Sequence, residues 1–193
     1  MDGARYYLAL LLLVVTPGVF LNGFSIHPFI RFWRRLGLGL TYLIHSAFMV
    51  IVAVGLFLLR ESLLSVQFGT SLALIVLAIP IYSVGVIVSR QRREQLGMKV
   101  LMGLPELAPE KYPTRLVTEG IYSRIRHPRY VELLLFLLAY TLVVNYLATY
   151  ILFLLSLVLI ALVVQLEERE LRDRFGEEYK RYCERVPRFI PKF

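Results

Sequence analysis

The fold is decided by residues 133–166, LLLFLLAYTLVVNYLATYILFLLSLVLIALVVQL, which carry no charged side chain over 34 positions. A single helix of that length would reach about 51 Å, whereas the hydrocarbon core of a bilayer is about 30 Å thick. Asn145 stands near the middle of the stretch, next to the aromatic Tyr146. We therefore predict a helical hairpin whose arms cover about 128–144 and about 147–170.

Three more uncharged stretches precede this one. Each supplies the roughly 20 apolar residues that a membrane-spanning helix needs. The predicted spans are about 6–24, 38–59 and 69–89. An alternative for residues 1–24 is a cleaved signal peptide, because Arg5 precedes an apolar core. The hairpin and the three earlier stretches together predict about five transmembrane helices.

The overall composition agrees with a membrane protein. Of the 193 residues, 58% are hydrophobic, whereas soluble domains contain about 45–50% apolar residues even with glycine counted. A chain of this size could not hide so much uncharged sequence in a soluble core. The composition excludes a soluble globular domain and a disordered chain, and the single cysteine, Cys183, excludes an internal disulfide.

The net charge of +8 is distributed unevenly around the predicted spans. With five spans, the 26–37 loop, the 90–129 loop and the tail after residue 167 share one side and hold 20 of the 22 Lys and Arg residues; Arg5 and Arg60 lie on the other. The positive-inside tendency then places the N-terminus outside and the C-terminus in the cytoplasm. The basic side is expected to face anionic membrane lipids, so nucleic acid is not expected as a partner.

We predict an all-α fold, a polytopic membrane helical bundle that forms a single domain over residues 1–193. Residues 1–89 would form a three-helix N-terminal part. Residues 90–193 would form a loop, the C-terminal hairpin and a cytoplasmic tail. Because most charges and turn residues fall in 90–193, a functional site is expected at the cytoplasmic end of the hairpin.

Two segments carry the polar residues of interest. In the first, Gly120 permits a tight turn, and Pro128 suits the first turn of a helix, which places His127 at its N-cap region. The N–H groups of that helix start could hold a carboxylate, or the nearby arginines could simply anchor the helix in the membrane.

In the second segment, Glu167 is the first acid after the long uncharged stretch, so it lies at the membrane boundary. It could receive an ammonium group from a ligand or pair with Arg126 or Arg129. Glu168 and Arg172 have the i,i+4 spacing of an ordinary helix pair. Gly176 is a plausible helix stop, with a short helix from Glu177 to Arg185 and an extended cover over 186–191 after it. No two histidines have metal-ligand spacing, so no metal is expected.

These two segments resemble the integral-membrane methyltransferases of the isoprenylcysteine carboxyl methyltransferase family, and a compact prokaryotic type in particular. The matching residues span about 114–191 and are Val117-Thr118-Glu119-Gly120-Ile121-Tyr122, Arg126-His127-Pro128-Arg129-Tyr130, Glu167-Glu168, Phe175-Gly176-Glu177-Glu178-Tyr179 and Val186-Pro187. The resemblance implies S-adenosylmethionine as cofactor, bound in a pocket on the cytoplasmic side. It implies that the cofactor is bound by Leu116, Val117, Tyr122, His127, Pro128, Tyr130, Glu167 and, as a secondary candidate, Glu168.

Within this resemblance, Glu167 would receive the α-ammonium of the cofactor. Leu116, Val117 and Tyr122 would border its adenine, and His127, Pro128 and Tyr130 its methionine part. One position departs from the pattern. Members that methylate prenylcysteine carry an Arg one helical turn before the first Glu, whereas this chain has Val163.

The expected function is therefore methyl transfer to a lipophilic acceptor, either a small molecule or a lipid-modified group. A prenylcysteine carboxylate is one possible acceptor, and the catalytic and acceptor-binding residues are left open. Two alternatives remain at this point: a membrane NADPH-dependent reductase with a fold like that of the sterol reductases, and a membrane subunit without enzymatic activity.

Overall fold

A computed structural model describes residues 2–26, 28–96, 104–108, 110–112 and 115–191. Within the predicted 90–129 loop, residues 97–103, 109, 113 and 114 lie outside the described residues. The described part contains nine α-helices, a 3-10 turn at Gly120–Ser123 and one isolated bridge between Gln67 and Tyr146. The helices are α1 (Asp2–Ile26), α2 (Ile30–Leu36), α3 (Leu38–Leu58), α4 (Arg60–Leu63), α5 (Leu72–Gln95), α6 (Leu104–Leu107), α7 (Pro128–Val144), α8 (Leu147–Phe175) and α9 (Glu177–Arg185). The predicted all-α class is confirmed for this part of the chain.

Three described helices, α3, α5 and α8, are long and apolar enough to cross a membrane. A shorter apolar helix lies within α1, over Gly3–Gly18, and α7 has 17 residues. Large apolar side chains on the long helices face outward, among them Ile51 and Leu58, which are 67% and 70% exposed. Such surface is stable only against lipid or another apolar partner, and the chain is therefore an integral membrane protein.

All five predicted spans fall on helices, but their bounds differ from the prediction. α5 ends at Gln95 and α8 at Phe175, several residues beyond the predicted ends at 89 and 170. Helical hydrogen bonding continues past the apolar stretches because the Arg, Glu and Gln residues there are good helix formers. The short helix α2, with the buried Trp33, was not predicted.

The turn between α7 and α8 lies at Asn145, where the sequence placed it. Asn145 adopts a left-handed conformation with φ 57° and ψ 49°, which asparagine tolerates better than most residues. Its side-chain amide donates to the Gly69 carbonyl at 3.0 Å, and the Tyr150 hydroxyl donates to its Oδ1 at 2.8 Å. The predicted hairpin is confirmed, and its turn is held by hydrogen bonds.

The hairpin turn marks one end of the bundle, which we call the turn end. Arg5 of α1 lies there and is 4% exposed. Its Nε and Nη2 atoms donate to the Val144 carbonyl at 3.0 and 2.8 Å. A cation at the last carbonyls of a helix is favourable because the helix dipole is negative there. The opposite end, where α5 ends and α7 begins, is called the site end.

Helices α5 and α7 share the most extensive contact among the described elements. The contact face of α5 is built from small buried residues, Ala78, Gly85 and Ser89. An ideal Cβ atom on Gly85 would lie 2.9 Å from Cε1 of Phe136 on α7. Small residues let helices approach closely in membranes, and this approach fixes the start of α7 against α5.

We expect Gly85→Val to destabilise the protein by about 1–3 kcal/mol, the usual cost of overpacking a well-packed contact. The measurement is the thermal unfolding of the purified protein in detergent. Gly55→Val in α3 is the matched control, because nothing lies within 4 Å of a Cβ atom there. Equal unfolding temperatures for the two variants would show that the close approach of α5 and α7 is not needed.

Candidate functional site

The segment leading into α7 folds as its glycine and proline require. Gly120 has φ 57° and opens the 3-10 turn. Pro128 occupies the first position of α7, and His127 stands at the N-cap. The His127 side chain, however, makes no capping hydrogen bond. Its ring instead lies between the carboxylates of Glu167 and Glu168, so its role at the helix start is not that of a cap.

Glu168 is 1% exposed and lies at the centre of a charge cluster. Arg126 Nη2 donates to its Oε1 at 2.7 Å, and Arg188 Nη2 donates to its Oε2 at 2.7 Å. Arg172, one turn further along α8, lies 3.4 Å from Oε2, which confirms the predicted i,i+4 pair. A buried carboxylate is stable only when its charge and its lone pairs are matched in this way.

The same cluster attaches the C-terminal tail to the start of α7. Arg126 Nη1 donates to the carbonyls of Cys183, at 2.9 Å, and of Val186. The backbone N–H groups of Arg126 and His127 donate to the carbonyls of Pro187 and Arg188, at 2.9 and 3.1 Å. The tail therefore covers this end of the bundle, as the sequence predicted for 186–191.

Glu167 has a different environment from its neighbour, because its side chain is 30% exposed. The Tyr130 hydroxyl donates to its Oε2 at 2.8 Å. His127 Nδ1 is 3.8 Å from the same oxygen, which is beyond hydrogen-bond range. Glu167 thus keeps acceptor capacity on the accessible side of the site, whereas Glu168 is enclosed by arginines. The predicted alternative in which Glu167 pairs with Arg126 is wrong, because Arg126 bonds Glu168 and two carbonyls of the tail.

The His127 ring is oriented by the hydrogen bond that its second nitrogen, Nε2, makes. Nε2 lies 3.2 Å from Oε1 of Glu168. An ionised carboxylate only accepts hydrogen bonds, so Nε2 carries the proton and donates it. His127 is 4% exposed, and its ring is held by Glu168 while its Nδ1 edge faces Glu167. The buried cluster thereby positions a histidine beside the accessible carboxylate.

The remaining predicted residues border this group. The Tyr182 hydroxyl donates to the Tyr122 carbonyl at 2.7 Å, joining α9 to the 3-10 turn. Burial raises the pKa of the Tyr122 phenol well above its usual value, so this side chain is neutral at physiological pH. Leu116 packs against the cluster that contains Tyr182, and Val117 packs against the cluster that contains Tyr122.

The structure thus brings the two predicted segments together at the site end. His127, Tyr130, Glu167 and Glu168 are in direct contact. Pro128 is buried at the start of α7, next to them. Leu116, Val117 and Tyr122 lie on the adjoining apolar surface.

Sequence reasoning missed a second buried pair at the same end. Arg92 of α5 and Glu132 of α7 form a salt bridge, with Nε 2.6 Å from Oε2, and the Ser89 hydroxyl donates to Oε1 at 2.8 Å. The sequence did contain an indication of this pair, because Glu132 is the only acid between Glu119 and Glu167. Acids beside an apolar stretch usually have a specific partner, an argument that applies to Glu132 as much as to Glu167.

The fold and the site define a class: an integral-membrane helical protein whose two polar segments meet at one end of the bundle, beside an accessible carboxylate. The sequence profile of the phospholipid methyltransferase family matches residues 73–178, more than half of the chain. This chain belongs to the phospholipid methyltransferase family. The methyltransferases of that family use S-adenosylmethionine as the methyl donor.

A named relative is the Methanethiol S-methyltransferase 1 of Bradyrhizobium diazoefficiens. This chain is 37% identical to it over 83 residues, which are 42% of this chain and 28% of that protein. The chain therefore covers only a minor part of the relative's length. The resemblance to membrane methyltransferases that use S-adenosylmethionine is confirmed at the level of this family; the finer resemblance to the isoprenylcysteine carboxyl methyltransferases stays a prediction.

The residues at the site end fit the chemistry of S-adenosylmethionine. Its amino acid part carries an ammonium and a carboxylate, and its adenine needs an apolar surface. Glu167 offers an accessible carboxylate, oriented by Tyr130. The start of α7 carries the positive end of a helix dipole, which favours a carboxylate. Leu116 and Val117 are partly buried and apolar, as an adenine surface requires.

Proposed function

We propose that this protein transfers the methyl group of S-adenosylmethionine to a lipophilic acceptor at the site end of the bundle. The observation that carries the proposal is the difference between the two adjacent glutamates. Arginines enclose Glu168, whereas Glu167 presents an accessible carboxylate beside His127 and Tyr130. A site that binds a cationic amino acid group needs such a carboxylate.

The proposed cofactor contacts follow from the position of each side chain. Glu167 accepts from the ammonium group, and Tyr130 fixes the orientation of that carboxylate. The first turn of α7, with His127 and Pro128, faces the carboxylate of the cofactor. The apolar surface of Leu116 and Val117, next to Tyr122, borders the adenine. Glu168 acts indirectly, because its oxygens hold Arg126, Arg188 and His127 in place.

The chain itself has a limited chemical task. Bound S-adenosylmethionine supplies a methyl group that is already activated on a sulfonium. The protein therefore has to hold donor and acceptor in line and to keep water away. The tail from Val186 to Phe189 closes over the start of α7, which excludes water from one side. The acceptor enters from the lipid, between helices.

The nature of the acceptor is argued from Val163 and from the relative. The position one turn before Glu167 holds Val163, an apolar side chain that is 2% exposed. No charge stands there to pair with an acceptor carboxylate. This disfavours a prenylcysteine carboxylate, although it is the acceptor that the finer family resemblance implies. The name of the bacterial relative specifies a thiol acceptor. A lipophilic thiol is therefore the acceptor class that we propose.

The orientation in the membrane is proposed from the distribution of basic residues. The loop 26–37, the loop 90–129 and the tail after residue 167 carry most of the Lys and Arg residues. The positive-inside tendency places them, and with them the site end, in the cytoplasm. This orientation puts the site in the compartment where S-adenosylmethionine is made. It requires α1 and α7 to span the membrane along with α3, α5 and α8.

The test is a binding and transfer experiment on the purified full chain. S-adenosylhomocysteine is titrated by calorimetry, with NADPH as the comparison ligand. Lipid extracts and a series of alkanethiols, alkylamines and fatty acids are then incubated with methyl-labelled S-adenosylmethionine and analysed by mass spectrometry. We expect S-adenosylhomocysteine to bind and a thiol to gain the label. Binding of NADPH alone would favour a reductase, and binding of neither ligand would favour a subunit without enzymatic activity.

A further inference from the structure

The buried pair of Arg92 and Glu132 leaves one nitrogen of the guanidinium unused. Both side chains are largely enclosed, at 6% and 11% exposure. The guanidinium approaches Glu132 from one side only: Nε lies 2.6 Å from Oε2, and Nη2 lies 3.2 Å from Oε1. Because the guanidinium is planar, Nη1 then points away from the carboxylate.

Arg92 Nη1 is buried and has no hydrogen-bond partner within the part of the chain that the structure describes. An enclosed donor without a partner is costly, and more so when it belongs to a charged group. A pair that only joined α5 to α7 would be more stable if this nitrogen were bonded or exposed. A buried donor without a partner needs an explanation, and a partner that arrives with a ligand is one such explanation.

The position of Arg92 connects it to the proposed cofactor site. The 3-10 turn packs against α5, and Val88, one turn before Arg92, contacts the cluster that contains Tyr122. Burial is the main cause of the raised pKa of the Tyr122 phenol. The next largest influences on that pKa are Arg92, which lowers it, and Glu167, which raises it. Arg92 and Glu167 therefore act on the same side chain from different elements.

We propose that Arg92 Nη1 binds the sulfur of the thiol acceptor and holds it as a thiolate next to the methyl donor. This inference rests on the proposed function, to which it adds an acceptor-binding residue. Glu132 neutralises the charge of Arg92, so the thiolate is stabilised by the hydrogen bond from Nη1 and not by a net positive charge. A guanidinium N–H next to a thiol favours its ionised form.

The step balances with the groups named. The thiol S–H bond breaks, and its proton passes to solvent. A lone pair of the thiolate forms a new bond from sulfur to the methyl carbon. The bond from that carbon to the sulfonium breaks, and its electron pair stays on the sulfonium sulfur. The products are a methyl thioether and S-adenosylhomocysteine. Arg92 remains protonated throughout and takes up no proton.

The experiment compares Arg92→Lys with Arg93→Lys in the full chain. Lysine keeps the charge and can still pair with Glu132, but it removes the Nη1 donor. Arg93 is the adjacent residue and is exposed, which makes it the matched control. The protein is first loaded with S-adenosylhomocysteine. A lipophilic alkanethiol is then added, and the absorbance of its thiolate is followed as pH is raised.

We expect the bound thiol in the wild type and in Arg93→Lys to ionise about one pH unit below the same thiol in water. In Arg92→Lys that shift is lost, and the KM for the alkanethiol rises at least tenfold. The affinity for S-adenosylhomocysteine is the same in all three proteins. That unchanged affinity also shows that the variants are folded.

Each other outcome has a definite meaning. If the wild type fails to bind S-adenosylhomocysteine, the proposed function fails. If it binds, and the thiol ionises alike in both variants, the role of Arg92 is wrong and the proposed function stands. If Arg92→Lys does not fold, the wild type alone decides, because a bound thiol that ionises at or above its value in water overturns the inference.

Discussion

Replacing Glu168 by glutamine is expected to lower the free energy of unfolding by about 3 kcal/mol or more, the range measured when one partner of a buried ion pair is removed. Glutamine keeps the shape of the side chain but leaves Arg126, whose side chain is 9% exposed, without a counter-charge. Arg188 and Arg172 are about half exposed and lose less, because water can solvate them. The measurement is thermal or denaturant unfolding of the purified protein.

The Glu168→Gln variant should also lose order in the tail. Arg126 joins Glu168 to the carbonyls of Cys183 and Val186, so proteolysis after residue 176 should accelerate. Glu184→Gln is the control, since Glu184 is exposed on α9, and we expect its stability to change by less than about 0.5 kcal/mol. A Glu168→Gln protein as stable as this control would contradict the central role given to the cluster.

The second large effect concerns Glu167. We expect Glu167→Gln to weaken the binding of S-adenosylhomocysteine about 10- to 100-fold, because a hydrogen bond to a charged group contributes about 1.5–3 kcal/mol. Stability should change little, since the side chain is 30% exposed and the Tyr130 hydroxyl can bond an amide oxygen as well. Calorimetric titration measures the affinity, and unfolding measures the stability.

The two glutamate variants together separate binding from folding. Glu167→Gln should affect affinity with little loss of stability, whereas Glu168→Gln should affect both. Tyr130→Phe provides an intermediate case: it removes the hydroxyl that orients Glu167 and keeps the ring. Wild-type affinity in Glu167→Gln would remove this residue from the site, and the start of α7 would then have to account for binding without it.

Local sequence rules were sufficient for the elements that depend on local chemistry. The turn at Asn145, the helix start at Pro128 and the helix stop at Gly176 were all predicted, because each follows from the backbone preference of one residue. The short helix predicted from Glu177 to Arg185 is present as α9 with the same bounds. The hydropathy of the long stretches also located every predicted span on a helix.

Pairing between distant residues was not predictable in the same way. Arg92 and Glu132 are 40 positions apart, and Arg126 and Glu168 are 42 apart. Which arginine meets which glutamate depends on how α5, α7 and α8 are rotated about their axes, and hydropathy does not fix that rotation. The two adjacent glutamates were therefore both candidates for the cofactor, and only their burial distinguished them.

The contact between Arg5 and the Val144 carbonyl also has a consequence for biogenesis. The two residues are separated by 139 positions, so the partner of Arg5 is not yet synthesised when the first helix leaves the ribosome. Until the nascent chain has grown through α7, the Nε and Nη2 donors of this guanidinium have to be solvated in another way, although Nη1 can already meet the Thr70 hydroxyl. The final seating of the first helix is therefore a late, post-insertion event.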